Sequence, residues 1–462
     1  MELNGIWPVV LPFFVGWVIS SNLPASGGKE TLMRALIALP FGFAIVSLLS
    51  FLTLLLSSML TYSYVFEGAL ILCAAAFLIY RGRWKSAVDT SLRSEKIAVY
   101  YVIPLVIVFF LILATFVQTL KFNPHGGWDA WAIWNLRAKF LFKNEAFWKD
   151  AFSSYIPWSH PDYPLLLPLT VSRWWKYLGL DSVSVPQAVA FVFTFSTLIL
   201  LFYSVSHFKG TIQGVASVLA ISMAFCYLKN GAQQYADIPI GFFFLSASVF
   251  VVNKDTSDDK NRMKFLILSG LCLGFAAWTK NEGLIFITAF MAARLVIFLL
   301  TSRLREFLKE IPYFLAGMAQ VLIPLIIFKF KFALPNDVLS SFGQDTINKF
   351  ADIGRYYTIL KSFILLCIPY GEINFGFAFL TSVAFLIVSG ITQVKKYLFT
   401  SAFLVLTLLF MLIGDFFVFV VIPYDVNFTV ATLLYRLISQ ILPLGIFAVF
   451  LLSASMSERE II

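Results

Sequence analysis

Four short motifs hold most of the residues that could do chemistry. In Gly126-Gly127-Trp128-Asp129-Ala130-Trp131 an aspartate follows two glycines at the exit of an apolar run. Glycines leave the backbone open to a ligand, so Asp129 can act as a proton acceptor; it equally fits the N-cap of a following helix. In Tyr235-Ala236-Asp237-Ile238-Pro239 the aspartate again reads either as a cap with proline near the first turn or as a second acidic group of a site. Thr279-Lys280-Asn281-Glu282-Gly283 is either an exposed hairpin or a lysine placed to neutralise a phosphate. In Leu434-Tyr435-Arg436-Leu437-Ile438-Ser439-Gln440 an arginine enters an apolar span. A charge there is costly, so Arg436 either faces a cavity, where its fork suits a phosphate, or snorkels to headgroups. Glu67 and Asp415 lie within apolar runs and are functional candidates or partners of basic residues.

The elements that must position these groups are membrane helices. Of 462 residues, 60% are hydrophobic and 13% charged, against about 25% charged in soluble domains. The net charge of +9 raises nucleic-acid binding, but the basic residues sit in short loops between apolar runs, which is the positive-inside pattern and excludes it. Cys73, Cys226, Cys272 and Cys367 fall in apolar runs without metal-like spacing. The start of the chain carries Glu2 and no basic stretch, so 7–25 reads as a retained helix. Runs long enough to span fall at 7–25, 35–57, 62–80, 98–118, 186–207, 212–228, 237–252, 265–279, 284–301, 311–330, 374–391, 398–421 and 436–454, with 359–371 as an interfacial or re-entrant piece. The expected architecture is an all-α polytopic membrane protein of about thirteen spans.

Loop charge sets the orientation. Arg81, Arg83, Lys85, Arg93 and Lys96 fill one connection, Lys254, Lys260, Arg262 and Lys264 a second, Arg303, Arg305 and Lys309 a third, and Lys395 and Lys396 a fourth. All four fall on one side, taken as cytoplasmic. The long insert after 118, the loops at 229–236 and 280–283, residues 331–358 and the turn at 423–430 then share the opposite side. Residues 253–264 read as a solvated connector.

The insert gathers Trp128, Trp131, Trp134, Trp148 and Trp158 with charged residues and two histidines. Tryptophan concentrates where hydrocarbon meets water. A helix over Trp131–Trp148 would align Trp131, Trp134, Ala138, Leu141 and Trp148 and leave Lys139 and Lys143 on another face to snorkel, as in an in-plane amphipathic helix. A helix merely packed on its neighbours fits as well. Pro161, Pro164 and Pro168 end the insert.

In order and sidedness these motifs resemble the C-type membrane glycosyltransferases, which include protein O-mannosyltransferases and the aminoarabinose transferase of lipid A. The resemblance implies a seven-helix catalytic module at 98–330 with an outer loop at 119–185, preceded by accessory helices at 1–97 and followed by an outer loop and helices at 331–462. It implies that Asp129 is the catalytic aspartate of the first outer loop and Asp237 the second acidic residue. His160-Pro161-Asp162-Tyr163-Pro164 looks like the proline-rich end of that loop, while TKNEG and LYRLISQILP look like motifs of bacterial relatives with an Rgt-type domain. The expected site therefore comprises catalytic Asp129, substrate-binding Asp237, His160, Asp162, Tyr235 and Trp128, and phosphate-binding Lys280 and Arg436. Glu282, Arg137, Glu67 and Asp415 are secondary candidates. The three helices before the module have no counterpart in most relatives.

The chemistry follows from where these groups fall. No Gly-rich nucleotide loop is present, and the candidates face away from the cytoplasm, so a glycosyl donor there is carried by a lipid, most simply a polyprenyl phosphate. Phosphate leaves without a general acid, unlike the leaving groups of glycosidases. One carboxylate base and some cations then suffice, and inversion is expected. The acceptor is a glycan, lipid or protein hydroxyl. No cofactor is required, although Asp129 and Asp237 could hold a divalent metal. The resemblance places the protein in the bacterial cytoplasmic membrane with its site facing outward. A secondary transporter or lipid flippase is the alternative, and it would place the acidic groups at mid-membrane and show inverted repeats; a non-catalytic scaffold would leave them as caps. The glycosyl-transfer reading requires Asp129 within about two helix turns, ~11 Å, of Asp237, Lys280 or Arg436.

Overall fold

The structure is a computed structural model and describes residues 6–23, 31, 34–60, 67–69, 72–73, 76, 99–143, 145–257, 262–340, 344–369 and 374–455. Among these residues the fold is helical, with one isolated antiparallel bridge between Ile391 and Ser453. In chain order, α1 (Trp7–Ser20), α2 (Ala38–Ser57) and α3 (Val99–Phe122) precede the insert, which holds α4 (Asn135–Lys143) and leads into α5 (Leu166–Leu178). Then follow α6 (Ser184–Lys209), α7 (Thr211–Ser222), α8 (Phe225–Ala232), α9 (Asp237–Thr256), α10 (Lys264–Thr279), α11 (Glu282–Leu300) and α12 (Leu304–Lys331). Two short helices lead to α13 (Ile353–Leu366), α14 (Gly376–Ser389), α15 (Lys395–Val421) and α16 (Val426–Leu452).

Among the described residues eight helices are long and apolar enough to cross a membrane, and α1, α10 and α14 are shorter apolar helices. Helices α7 and α8 qualify together but meet at a 75° bend, so the predicted run at 212–228 is broken at Met223 and Ala224. Each predicted run except 62–80 coincides with one of these elements. Most of 62–80 and the loop cations Arg81, Arg83, Lys85, Arg93, Lys96 and Lys260 lie outside the described residues. Residues 359–366 of the piece at 359–371 belong to α13, which starts at Ile353 with the Asp352 carboxylate accepting from the Arg355 backbone N–H, while 370 and 371 lie outside the described residues.

Helix α9 is buried from Asp237 to Lys254 and forms the axis around which the others assemble. Its Phe244 stacks on Phe286 of α11 at 3.8 Å, and Phe242 and Phe243 meet Phe41 and Phe193. Helix association in lipid depends on packing rather than on expulsion of water, so small residues at crossings matter. A Cβ at Gly317 of α12 would lie 2.0 Å from the Ile267 carbonyl of α10, and one at Gly270 would lie 2.2 Å from the Phe314 carbonyl.

The connector at 253–264 is not wholly a solvated loop. Lys254 and Asp255 are in α9 and join Arg294 and Glu310 in a buried ion cluster. Their opposite charges neutralise one another, a pairing across distant helices that local composition does not report. Lys396 donates to the Thr256 carbonyl at the same end.

Candidate active site

The segment that follows α3 docks on the turn before α9 through its glycines. Gly126 adopts φ +76°, and the Gly127 N–H donates to the Gln233 carbonyl at 3.0 Å. A Cβ at Gly127 would fall 2.2 Å from Tyr235 Oη. Gln234 and Gln187 both donate to the Pro124 carbonyl, at 3.1 and 2.9 Å. These contacts deliver Asp129 to the N-terminal end of α9.

Asp129 stands at the start of a π-helical turn, Ala130–Trp134, and makes no capping bond. Asp237 lies in the first turn of α9, and its side chain is likewise not the cap. Both instead meet Arg436, which corrects the capping readings. Arg436 Nη2 donates to Asp129 Oδ2 at 2.5 Å and Nε to Asp237 Oδ2 at 3.0 Å. Lys280 Nζ donates to Asp237 Oδ1 at 3.1 Å, and Gln440 Nε2 donates to the same oxygen at 2.7 Å. Lys280 also pairs with Glu282 at 2.6 Å. The guanidinium of Arg436 lies 4.3 Å over the Tyr235 ring, which adds a cation–π contact.

Arg436 is buried, so the snorkelling reading does not hold. It sits deep within α16, which starts at Val426 rather than at the predicted 436; Asp425 caps that start by accepting from the Phe428 N–H. Polar Asn427, Thr429 and Thr432 lower the hydropathy of the first turns without preventing helix. Burial alone would lower the Lys280 ammonium, but Asp237 and Glu282 outweigh it and hold it protonated above the ordinary lysine value. Asp237 is fully buried with both oxygens occupied, whereas the Asp129 side chain keeps 14% exposure. Of the two carboxylates, Asp129 is the one a substrate can reach.

The same end of the fold gathers the other predicted outer segments. Asp162 Oδ2 accepts from Asn281 Nδ2 at 2.7 Å and from Asn336 Nδ2 at 2.9 Å. Lys329 donates to the Asp162 carbonyl and to Asn281 Oδ1. His160, in a left-handed backbone conformation, stacks on Tyr163 at 4.9 Å and lies 3.9 Å from Asp337, to which Tyr424 Oη donates at 3.0 Å. His160 and Asp162 thus fasten the insert to the segments after α10 and α12, and neither touches Asp129.

Arg137 is buried beneath Trp134, donates to the Tyr163 carbonyl at 2.6 Å, and leaves Nη2 without a partner. Burial lowers its guanidinium to about 10. Glu67 stands apart from the site. It forms a buried bidentate pair with Arg173 of α5, at 2.6 and 2.9 Å, and accepts from Tyr177. Asp415 of α15 is buried, with Oδ2 unpartnered.

The insert is not one helix over 131–148. The π turn gives way to α4, and a 3₁₀ segment, Glu145–Phe152, follows with a non-helical Phe147. Trp134, Ala138, Leu141 and Trp148 are buried as expected, but Trp131 is exposed and meets Trp128 edge to face at 5.8 Å. The wider i→i+5 winding of a π turn shifts Trp131 off the stripe. Lys139 and Lys143 pair with Asp181, at 3.6 and 3.0 Å. An open recess of about 460 Å³, lined by Phe122, Asn123, Pro124, His125, Gly126 and Trp131, lies beside the Asp129 motif.

A metal is poorly suited to the Asp129–Asp237 pair, because Arg436 bridges the two carboxylates. Among the described residues no group of three or more His, Cys, Asp or Glu side chains is arranged to hold one. Gln440, Asn281, Asn336 and Lys329 were not among the predicted site residues. Gln440 follows Arg436 by four residues, one helix turn, which was a readable signal.

No curated protein and no solved structure matches the chain. Across residues 177–328, a segment that runs from the end of α5 into α12 and carries Asp237 and Lys280, the chain matches the dolichyl-phosphate-mannose-protein mannosyltransferase family, a membrane glycosyltransferase family of the C type.

Proposed function

We propose that this protein transfers a sugar from a polyprenyl-phosphate carrier to an acceptor hydroxyl at the non-cytoplasmic face of the membrane. The observation that carries the reading is the meeting of Asp129, Asp237, Lys280 and Arg436, from four segments, at one end of the bundle. The family match supports a glycosyltransferase with a lipid-phosphate donor.

Asp129 accepts the proton of the acceptor hydroxyl as its oxygen attacks the anomeric carbon. The bond from that carbon to the phosphate oxygen breaks, and its electron pair stays on the phosphate. Arg436 and Lys280 stabilise the growing negative charge, the products are a glycoside and polyprenyl phosphate, and the anomeric centre inverts. Asp237 is a positioning residue, since its oxygens are occupied by Arg436, Lys280 and Gln440. Arg436 has a second task. In this structure it donates to Asp129, and an ion-paired carboxylate is a poor base. A donor phosphate that draws the guanidinium toward itself releases Asp129 when the leaving group is in place, so the donor binds before the acceptor reacts.

The test is transfer of labelled sugar from polyprenyl-phosphate donors to envelope acceptors by the purified chain and by Asp129→Asn. Loss of transfer in a folded variant supports the assignment. Undiminished turnover removes Asp129 as base, and failure of the wild-type chain to bind any polyprenyl phosphate removes the reading itself.

A further inference from the structure

Two carboxyl groups next to the site make contacts that the mechanism does not use. Glu282 opens α11, with Oε1 taken by Lys280 at 2.6 Å while Oε2 is buried without a hydrogen-bond partner. Asp415 is 1% exposed in α15, has no ion pair among the described residues, and its Oδ2 is also unpartnered. The two helices meet here. A Cβ at Gly414 would lie 3.0 Å from Ile285, one turn after Glu282, and the charged groups acting on Asp415 are Glu282 and Lys280.

A buried acceptor left unpaired is destabilising, and more so when charged. Packing does not account for these two unpartnered oxygens, because apolar side chains would fill the space without that cost. Lys280 cannot satisfy both, since its ammonium already serves Asp237 and Glu282. What the pair lacks is donors, held at a fixed spacing and delivered from outside the protein. A metal would need further ligands, and no group of three or more suitable side chains exists among the described residues. Adjacent hydroxyls on a sugar ring supply such donors. The location agrees, because Glu282 and Asp237 flank the same ammonium. A ring held by Glu282 and Asp415 would present its anomeric phosphate to the cations beside Asp237.

We infer that Glu282 and Asp415 form the subsite that receives the hydroxyls of the transferred sugar. This rests on the lipid-phosphate glycosyltransferase reading. Asp415 contributes from the membrane-buried face, and Glu282 both binds the sugar and ties it to Lys280.

Binding of short-chain polyprenyl monophosphate, and of its mannosyl, glucosyl and arabinosyl derivatives, to the full chain in nanodiscs tests the inference. The wild-type chain should bind at least one glycosylated form more tightly than the bare monophosphate, by about tenfold or more. Asp415→Asn should remove that preference while affinity for the bare monophosphate stays within about twofold; Glu282→Gln should remove the preference as well, with affinity for the bare monophosphate shifting through its partner Lys280. Thermal unfolding identifies a variant that has lost its fold, and the other variant then decides. Retention of the sugar preference by both variants, or its absence in the wild-type chain, overturns the subsite. No binding of either lipid by wild type, with Arg436→Ala indistinguishable from it, instead overturns the reading on which the subsite rests.

Discussion

Arg436 reaches across the fold to Asp129, 307 positions earlier in the chain, and with its Nε holds Asp237 at 3.0 Å. One guanidinium thus joins the partly exposed aspartate of the pair to the fully buried one. A lysine would offer a point charge with no fixed fork. Arg436→Lys should therefore keep part of the donor affinity but lose the geometry, with turnover down about 10- to 100-fold and Arg436→Ala lower still. Steady-state kinetics on both variants check this; equal rates for Arg436→Lys and wild type would mean the fork is not used.

Asp129→Asn removes the proton acceptor but leaves a side chain of the same shape. Turnover should fall about 10²- to 10⁴-fold, with an unfolding temperature close to that of wild type. Asp237→Ala differs. It strips a buried partner from Arg436 and Lys280, so it should cost about 3 to 5 kcal/mol of stability as well as activity. Thermal melts beside turnover separate the two aspartates.

Glu67 supplies the control. Its bidentate pair with Arg173 is buried but lies away from the cluster. Glu67→Ala should destabilise by about 3 to 5 kcal/mol while the KM for donor in the surviving folded protein stays unchanged. A shift in KM matching that of Arg436→Ala would place Glu67 in the site.

Gly127→Ala tests the docking of the segment that follows α3. The added methyl would meet Tyr235 Oη at 2.2 Å, so the segment must lift from the turn before α9 and carry Asp129 with it. Activity should fall by more than about tenfold, since a displacement near 1 Å can cost about 10²-fold. Unchanged helix content by circular dichroism would localise the effect.

Asp181 gives the pH dependence. A hydrogen bond from Lys143 holds its carboxyl below the ordinary value, with the Lys143 and Lys139 charges acting in the same direction. A depressed carboxyl stabilises the fold above its unfolded pKa of about 4, and the contribution is lost as pH falls through the folded value. The pair is partly exposed, so the effect is within about 1 kcal/mol. Wild type should melt slightly above Asp181→Asn at pH 7, and the gap should close in acid.

Much of this was legible in the sequence because membrane spans announce themselves by composition, and because a charge inside an apolar run requires a partner. Arg436 was visible on the second ground, and Asp129, Asp237 and Lys280 through short polar motifs at the ends of apolar runs and the family resemblance they carry. Their partners were not. Whether Asp237 caps its helix or binds Lys280 depends on a contact 43 residues away, and local spacing cannot distinguish the two. Lys254 and Asp255 looked like loop charges because their counterions lie on α11 and α12. Trp131 left its stripe because a π turn breaks the 3.6-residue period that the pattern assumed.

The bridging cation sits in α16, the last of the described helices. A growing chain threads Asp129, Asp237 and Lys280 into the membrane long before residues 426–452 exist. Until that segment is inserted, Asp129 and Asp237 face each other without the group that reconciles their charge, and Asp237 has Lys280 alone. On the proposed mechanism, catalytic competence therefore waits for insertion of α16, and a chain released before it would remain inert toward a lipid-carried donor.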